Sequence, residues 1–176
     1  MFFIESERLK LIALERHQLL LLLEDLPLLE QSLGLNPCNL EVNFGEDFMK
    51  EFTEALTSVT IPILEQHPEH YKWLTFWLIA HKKDNLYIGG IGAFGFPVKH
   101  ESETMVGYFL DQKYEGQGFT TEALARLLEW MLAEPALKTV VADTPSGHFA
   151  SQKVLQKNGF VYDREVEEGI RWRLTR

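Results

Sequence analysis

The sequence predicts a single α/β domain built on a mixed, mostly antiparallel sheet, and two observations carry that prediction. Residues 73–110 contain three apolar segments separated by turn signals, which is typical of an antiparallel meander. Residues 119–158 then show helix, strand and helix patterns in succession. The chain has 176 residues, the size of one ordinary domain, and 45% of them are hydrophobic, which indicates a globular protein.

The first part of the chain reads as one strand followed by helices. Residues 7–14 begin with alternating apolar and polar side chains and predict the first strand. Residues 15–33 have a helical apolar pattern that is interrupted near Pro27. Residues 34–44 are rich in Gly, Pro and Asn and predict a loop, and residues 46–66 predict a second helical stretch.

The rest of the chain carries the meander and the alternating elements. Strands are predicted at residues 73–81, 86–96, 103–110 and 137–142, a turn at 97–102, helices at 119–133 and 147–158, and a closing hairpin at 160–166 and 169–174. The aromatic side chains Trp73, Phe76 and Trp77 are interpreted as core residues rather than as a substrate box.

Composition excludes several classes of protein. No apolar segment reaches the roughly 18 residues that span a bilayer, and residues 1–10 lack the features of a signal peptide. The single cysteine, Cys38, rules out an internal disulfide and favours a cytoplasmic protein. His67, His70 and His81 lack the spacing of metal ligands, so no metal site is predicted.

The net charge of −9 argues against nucleic acid as the main partner, because neutralising phosphates requires a basic surface. It is compatible with a cationic substrate such as an amine, and equally with plain solubility.

A glycine turn at residues 114–121 separates a predicted strand from a well-formed helix. Gly116 and Gly118 allow a sharp turn and a close approach of the backbone to a ligand. The first N–H groups of the helix have no intrahelical partner, and together with the helix dipole they suit a pyrophosphate. The turn matches neither the Walker A pattern nor the Rossmann fingerprint, and a glycine turn followed by a Thr cap remains the alternative reading.

Three motifs extend this reading. They are ESERLKL at residues 5–11, VGYFLD followed by YEGQGFTTEAL within residues 106–124, and ASQKVLQKNGF at residues 150–160. In this order they resemble the GNAT N-acetyltransferases, in particular the branch that contains the ribosomal-protein N-terminal acetyltransferases. The resemblance implies one N-acetyltransferase domain over residues 1–176, with helices on both faces of the sheet.

The resemblance also implies the substrates: acetyl-CoA as co-substrate and a peptide or small-molecule amine as acceptor, in direct transfer within a ternary complex. Neither nucleic acid nor a membrane is implied as a partner, and formation of a homodimer remains a possibility. The third meander strand is expected to carry a bulge and to splay from the next strand. The implied cofactor-binding residues are Tyr108, Phe109, Leu110, Gly116, Gln117, Gly118, Phe119, Thr120, Thr121, His148 and Ser151.

The sequence departs from the family pattern at a few positions. Glu115 occupies a position where the family usually has Gln or Arg, and it is expected to face solvent. Thr120 occupies a position where the family usually has Gly or Ala. His148 replaces a common Asn. Leu155 occupies the place of a tyrosine that acts as general acid in some branches.

Three residues are candidates for the chemistry. Ser151 is placed near the thiol by the resemblance, and its alternative role is a simple cofactor or turn contact. Glu103 leads the third meander strand and is a candidate base, with a solvated carboxylate as the alternative. Asp143 ends the neighbouring predicted strand and is a second candidate base, with a turn-forming role as the alternative. A CoA-binding member without turnover, and a binding module unrelated to CoA, remain as alternatives to an active enzyme.

Overall fold

The computed structural model describes residues 1–43, 45–99 and 102–176, with residues 45–47 through their backbone alone. The strands are β1 (Phe2–Glu5), β2 (Leu9–Ala13), β3 (Phe76–His81), β4 (Leu86–Phe94), β5 (Glu103–Leu110), β6 (Thr139–Thr144), β7 (Val161–Val166) and β8 (Gly169–Thr175). They form an eight-stranded sheet in the order β1-β2-β3-β4-β5-β6-β8-β7. The β5–β6 pair is parallel and the other pairs are antiparallel. The predicted mixed, mostly antiparallel sheet is therefore confirmed.

The helices lie in two groups along the chain. They are α1 (Arg16–Glu24), α2 (Leu26–Leu33), α3 (Gly45–Ala55), α4 (Ile61–Gln66), α5 (Tyr71–Leu74), α6 (Phe119–Met131) and α7 (Phe149–Lys157). A π-helical turn at Leu56–Thr60 joins α3 to α4. The predicted interruption near Pro27 is confirmed, because Asp25 ends α1 and caps α2 by accepting a hydrogen bond from the Leu28 N–H at 3.0 Å. Pro27 then lies in the first turn of α2, where a missing N–H costs little.

The sheet separates two hydrophobic cores. On one face, α6 packs its apolar stripe against the strands, with Ala123, Leu124 and Leu127 fully buried. On the other face, the helices of the N-terminal half cover Phe76, Leu78 and Phe109. Because side chains alternate across a strand, neighbouring residues of β5 belong to opposite cores. The expectation of helices on both faces is thus confirmed.

Several predicted elements differ in detail. Strand β1 was not predicted, because Phe2–Glu5 is short and lacks an alternating pattern. Trp73 belongs to α5 rather than to a strand, and its ring packs on Trp130 at 4.5 Å between centroids. The turn at residues 97–102 and the loop at residues 34–44 include Phe44, His100 and Glu101, which lie outside the described residues.

The bulge expected on the third meander strand lies instead in the strand before it. Strand β5 pairs with β4 without a shift, from Gly89 opposite Leu110 to Phe94 opposite Met105. Strand β4 carries an extra residue opposite the Ile79–Ala80 step of β3. The prediction of a bulge in β5 is therefore wrong, and the physical reason is the close approach at Gly89, where a side chain would overlap the Phe109 carbonyl.

Candidate active site

The parallel strands β5 and β6 separate in the middle of the sheet. They pair over a short stretch, from Glu103 opposite Thr139 to Met105 opposite Val141. Beyond it, β5 remains paired with β4 and β6 with β8. Among the described strands, the side of β5 that faces the opening therefore has no partner from Val106 onward. Such an open side can bind an extended ligand as an added strand would.

A cleft of about 560 Å³ occupies this opening and reaches the start of α6. Its walls come from β5, the glycine turn and one face of α7. The lining residues are Tyr108, Phe109, Leu110, Tyr114, Glu115, Gly116, Gly118, Phe119, Thr120, Thr121, His148, Ala150, Ser151, Lys153, Val154 and Lys157. All the predicted cofactor-binding residues except Gln117 are among them, although their contact with a cofactor stays a prediction. The side chain of Gln117 donates instead to the Lys113 carbonyl at 2.9 Å.

The glycine turn has the geometry of an anion-binding site. Gly116 and Gly118 have φ angles of 72° and 81°, in the left-handed region that favours glycine. Gly118 caps α6 without a side-chain hydrogen bond to the helix. The N–H groups of the first turn, from Phe119 to Thr121, therefore remain available to a ligand, and the helix dipole adds positive potential there.

The glycine turn is tied to the N-terminal strands through Arg8. The Arg8 guanidinium donates to the Gln117 carbonyl at 3.1 Å and to the Glu122 carboxylate at 2.6 Å. The Arg8 backbone N–H and the Ser6 hydroxyl donate to the same carboxylate at 2.8 and 2.7 Å. Burial raises the pKa of Glu122, but these hydrogen bonds outweigh burial and hold the pKa below its usual value. Sequence reasoning missed this contact because Arg8 and Glu122 are far apart along the chain.

The hydroxyl groups of Tyr108 and Ser151 meet across the cleft. Tyr108 Oη lies 2.8 Å from Ser151 Oγ, and it donates to the Ser151 carbonyl at 3.2 Å. Burial raises the pKa of Tyr108 to about 12, with the Ser151 hydrogen bond opposing it. Tyr108 therefore keeps its proton at neutral pH. Leu155, at the place of the family's tyrosine, is fully buried in the core.

The mouth of the cleft carries charged side chains of both signs. Lys153 and Lys157 lie on one face of α7, at the helical spacing that places both along the cleft. Neither lysine was predicted, although both lie within the third motif. Glu115 is exposed, in agreement with the expectation that it faces solvent, and it accepts a hydrogen bond from the Asn43 side chain at 3.4 Å.

The two candidate bases lie apart from the lining residues. Arg171 holds Asp143 through a bidentate pair with distances of 2.8 and 2.6 Å. That hydrogen-bonded pair raises the pKa of Arg171. Glu103 lies at the closed end of the β5–β6 pair, 3.4 Å from the Arg173 guanidinium. A catalytic role for either carboxylate stays a prediction.

A second, smaller cavity of about 180 Å³ adjoins the cleft. Tyr108 and Phe109 line both cavities, so both spaces border the open part of β5. The smaller cavity lies beneath α3 and the π-helical turn, and its walls are almost entirely apolar.

Two other kinds of site are absent from the described ranges 1–43, 45–99 and 102–176. In these ranges no helix combines the length and the apolar character needed to cross a membrane. The same ranges contain no group of three or more His, Cys, Asp or Glu side chains that could hold a metal ion.

Comparisons with known proteins identify the family. The family model for the acetyltransferase (GNAT) domain matches residues 43–161. The chain is 25% identical over 167 residues to the uncharacterized N-acetyltransferase YjdG of Bacillus subtilis, covering 92% of this chain and 97% of that protein. It is 30% identical over 97 residues to the probable N-acetyltransferase YjcK of the same organism, covering 55% of this chain and 51% of that protein.

Solved structures share the fold. The ribosomal-protein-S5-alanine acetyltransferase from Vibrio fischeri matches with a TM-score of 0.65 and 18% identity, covering 99% of this chain and 97% of that one. The ribosomal alpha-N-protein acetyltransferase RimL, in complex with coenzyme A, matches with a TM-score of 0.65 and 18% identity over 99% of this chain and 98% of that one. The chain therefore belongs to the GNAT acetyltransferase family and is an N-acetyltransferase.

Proposed function

We propose that this chain transfers the acetyl group of acetyl-CoA to a primary amine, directly and within a ternary complex. The observation that carries the proposal is the cleft itself, which runs from the N-terminus of α6 to the Tyr108–Ser151 pair through an opening in the sheet. The whole of residues 1–176 acts as one N-acetyltransferase domain, because a single sheet joins β1 to β7.

The described residues fit acetyl-CoA part by part. The free N–H groups at the start of α6 suit the pyrophosphate, and Lys153 and Lys157 add positive charge beside it. The open side of β5, from Tyr108 to Leu110, suits the amide groups of the pantetheine arm. This arrangement brings the thioester to the Tyr108–Ser151 pair.

Transfer requires a bond from the amine nitrogen to the thioester carbon and cleavage of the bond from that carbon to sulfur. A backbone N–H on the open side of β5 stabilises the charge that develops on the thioester oxygen. The departing thiolate takes a proton from the Tyr108–Ser151 pair, whose tyrosine is protonated at neutral pH. The attacking amine loses its proton to water or to a base, for which Glu103 and Asp143 remain the candidates.

The acceptor is a peptide α-amine or a small-molecule amine. The name of RimL describes an enzyme that acts on a ribosomal protein. The net charge of −9 favours an acceptor that arrives as a cation.

A CoA-binding protein without turnover is the second candidate. Glu115 at the mouth of the cleft favours it, because a carboxylate opposes a diphosphate nearby. Tight CoA binding without thiol release from acetyl-CoA on any amine would support this alternative.

Calorimetric titration with CoA, followed by thiol-release assays with acetyl-CoA and an amine panel, tests the proposal. The double variant Lys153→Gln/Lys157→Gln is expected to weaken CoA binding roughly threefold to tenfold, since exposed ion pairs contribute little each. Lys138→Gln is the matched control. Lys138 directly precedes β6, next to the stretch where β5 and β6 pair, and it is not among the residues that line the cleft. Failure of the wild-type protein to bind CoA would refute the proposal.

A further inference from the structure

The smaller cavity has features that select a particular kind of molecule. It lies on the face of the sheet that the N-terminal helices cover, opposite α6. Its volume of about 180 Å³ is close to that of an apolar cavity of about 150 Å³ known to bind a single benzene ring. The space is therefore sized for one ring.

Glycines form the floor of this cavity. Gly92 and Gly107 lie directly opposite each other on β4 and β5. A Cβ at Gly107 would meet nothing within 4 Å, and one at Gly92 would come no closer than 3.7 Å, to the Thr75 carbonyl. The empty volume above this pair exists because both positions lack a side chain.

The walls of the cavity are aromatic rings that already contact one another. Phe76 and Phe109 stack with centroids 5.7 Å apart, and Phe52 meets both edge-on at 5.1 and 5.2 Å. Phe48 contacts Phe109 edge-on at 5.4 Å. Such a wall offers ring faces and edges to a further aromatic ring, which is favoured over an aliphatic group of the same area.

The described lining of this cavity contains no charged side chain. The hydroxyl of Thr75, one of its few polar groups, already donates to the Leu14 carbonyl at 2.5 Å. A molecule with several ammonium groups would lose its hydration here without gaining partners. An amine with a single nitrogen avoids this cost, and apolar surroundings favour the neutral form that attacks a thioester.

We propose that this cavity is the acceptor pocket, and that it takes a primary amine joined by a short linker to a single aromatic ring. Tyr108 and Phe109 line both the cavity and the cleft, so a ring seated above Gly107 lies next to the cleft along β5, with its amine directed towards the thioester. This inference rests on the proposed acetyl transfer. The same chemistry occurs in a free arylalkylamine and in the α-amine of a peptide that begins with Phe.

The test compares acceptors of matched geometry with acetyl-CoA as donor. Phenethylamine and a tripeptide amide that begins with Phe represent the two sources, while ethanolamine, spermidine and the matching tripeptide that begins with Ser lack the ring. We expect kcat/KM to be at least roughly tenfold higher for one of the two ring-bearing amines than for its ringless counterpart. Preference for phenethylamine identifies a small-molecule acceptor, and preference for the Phe tripeptide identifies a peptide.

A pocket-filling series provides the second arm. Gly107→Ala and Gly107→Val place one or three carbons in the empty volume and are expected to lower the preference for the ring stepwise, by roughly tenfold for Val. Met105→Leu, on the same strand and outside the lining, is expected to keep the preference.

Two results would overturn the inference. The first is equal or better acetylation of ethanolamine and spermidine by the wild-type protein. The second is a ring preference that Gly107→Val leaves intact. If Gly107→Val with an intact preference also loses the turnover of hexanoyl-CoA that the wild-type protein has, the cavity holds the acyl chain instead. Thiol release with polar amines alone overturns this inference and leaves the proposed function intact, whereas absence of CoA binding overturns both.

Discussion

At the scale of single residues, Tyr108 joins the two walls of the cleft through its hydroxyl. Tyr108→Phe removes the hydroxyl and keeps the ring, so we expect kcat to fall roughly tenfold to a hundredfold, with Ser151 still present. The KM for acetyl-CoA should change much less, because the ring and the β5 backbone remain. Steady-state kinetics with a saturating amine measure both constants. An unchanged kcat would show that the leaving thiolate takes its proton elsewhere.

Cys38 is a second residue whose surroundings decide its chemistry. Burial raises the pKa of its thiol from 9.0 to about 12, and a hydrogen bond to Glu30 makes the next largest contribution. Since the thiolate is the reactive form, we expect alkylation of the native protein by iodoacetamide at about pH 8 to be at least roughly a hundredfold slower than alkylation of the urea-unfolded chain. Mass spectrometry of timed samples follows the reaction. Equal rates in the two states would contradict the structure.

Residue roles were predictable where a local motif carries them and were not where the fold creates them. The position of Ser151 in the cleft followed from its motif, because the residues of one short helix keep fixed positions relative to one another. The Arg8–Glu122 contact has no local signal, since Arg8 lies in the turn between β1 and β2 and Glu122 lies in α6. Phe76 was interpreted as core, and it is indeed buried, but it also forms part of the smaller cavity.

At the scale of elements, the neighbouring strands β4 and β5 contain glycines with opposite surroundings. A Cβ at Gly90 would overlap the Phe76 ring, whereas one at Gly107 would meet nothing. We expect Gly90→Ala to lower the free energy of unfolding by about 1–3 kcal/mol through overpacking. Gly107→Ala should leave it unchanged or raise it by about 0.5 kcal/mol, because alanine restricts the unfolded chain. Urea denaturation of both variants gives the comparison, and equal losses would show that Gly107 is as confined as Gly90.

Glu122, in the first turn of α6, is expected to make the free energy of unfolding depend on pH. The folded-state pKa of Glu122 lies below its usual value of 4.5, so its contribution to stability is complete above that pH. The contribution is lost as the pH falls from 4.5 through the folded-state pKa. Glu122→Gln should lower the free energy of unfolding at neutral pH by about 1–2 kcal/mol.

The same variant should also flatten the acid side of the stability profile. Urea denaturation at several pH values measures both effects. A variant with the wild-type acid profile would show that other carboxylates dominate it. Glu129→Gln serves as control, because Glu129 is an exposed carboxylate on the same helix.

Elements with a clear periodicity of hydrophobic residues were predicted well, whereas elements determined by tertiary contacts were not. Strand β5 was predicted with its observed bounds, and α6 differs by its last residues. Only one side of α6 is buried, so its apolar residues recur at helical spacing and are recognisable in the sequence. Residues around Trp73 have strand-like composition, yet they form a helical turn because Trp73 packs between Phe96 and Trp130.

At the scale of the whole molecule, ligand binding is coupled to unfolding. Both walls of the cleft belong to the folded sheet, so CoA should bind the native state and not the unfolded chain. At a free CoA concentration about a hundred times Kd, the expected gain is about 2.7 kcal/mol. For a chain of this size the thermal midpoint should then rise by roughly 5–11 °C. Scanning calorimetry with and without CoA measures the rise, and an unchanged midpoint at saturation would count against binding in the cleft.

The overall architecture was the most predictable feature, because the order of strand and helix patterns along the chain restricts the ways a sheet can be assembled. The position of the cleft followed from the family resemblance, since composition and periodicity do not reveal where two strands part. The aromatic cavity was not predicted. It depends on Phe48 and Phe52 of α3 coming to lie over glycines of β4 and β5, which are distant in the sequence.

The opening between β5 and β6 also bears on self-association. Unpaired backbone in the middle of a sheet is, in principle, a place where a strand of another molecule can add, and such edges promote aggregation. Here the side chain of Asn158, just after α7, donates to the Thr121 carbonyl of α6 at 3.3 Å, so the two flanking helices are linked across one end of the gap. Lys153 and Lys157 charge its rim. The link between the helices and the two lysines therefore oppose the addition of a β-strand from another molecule.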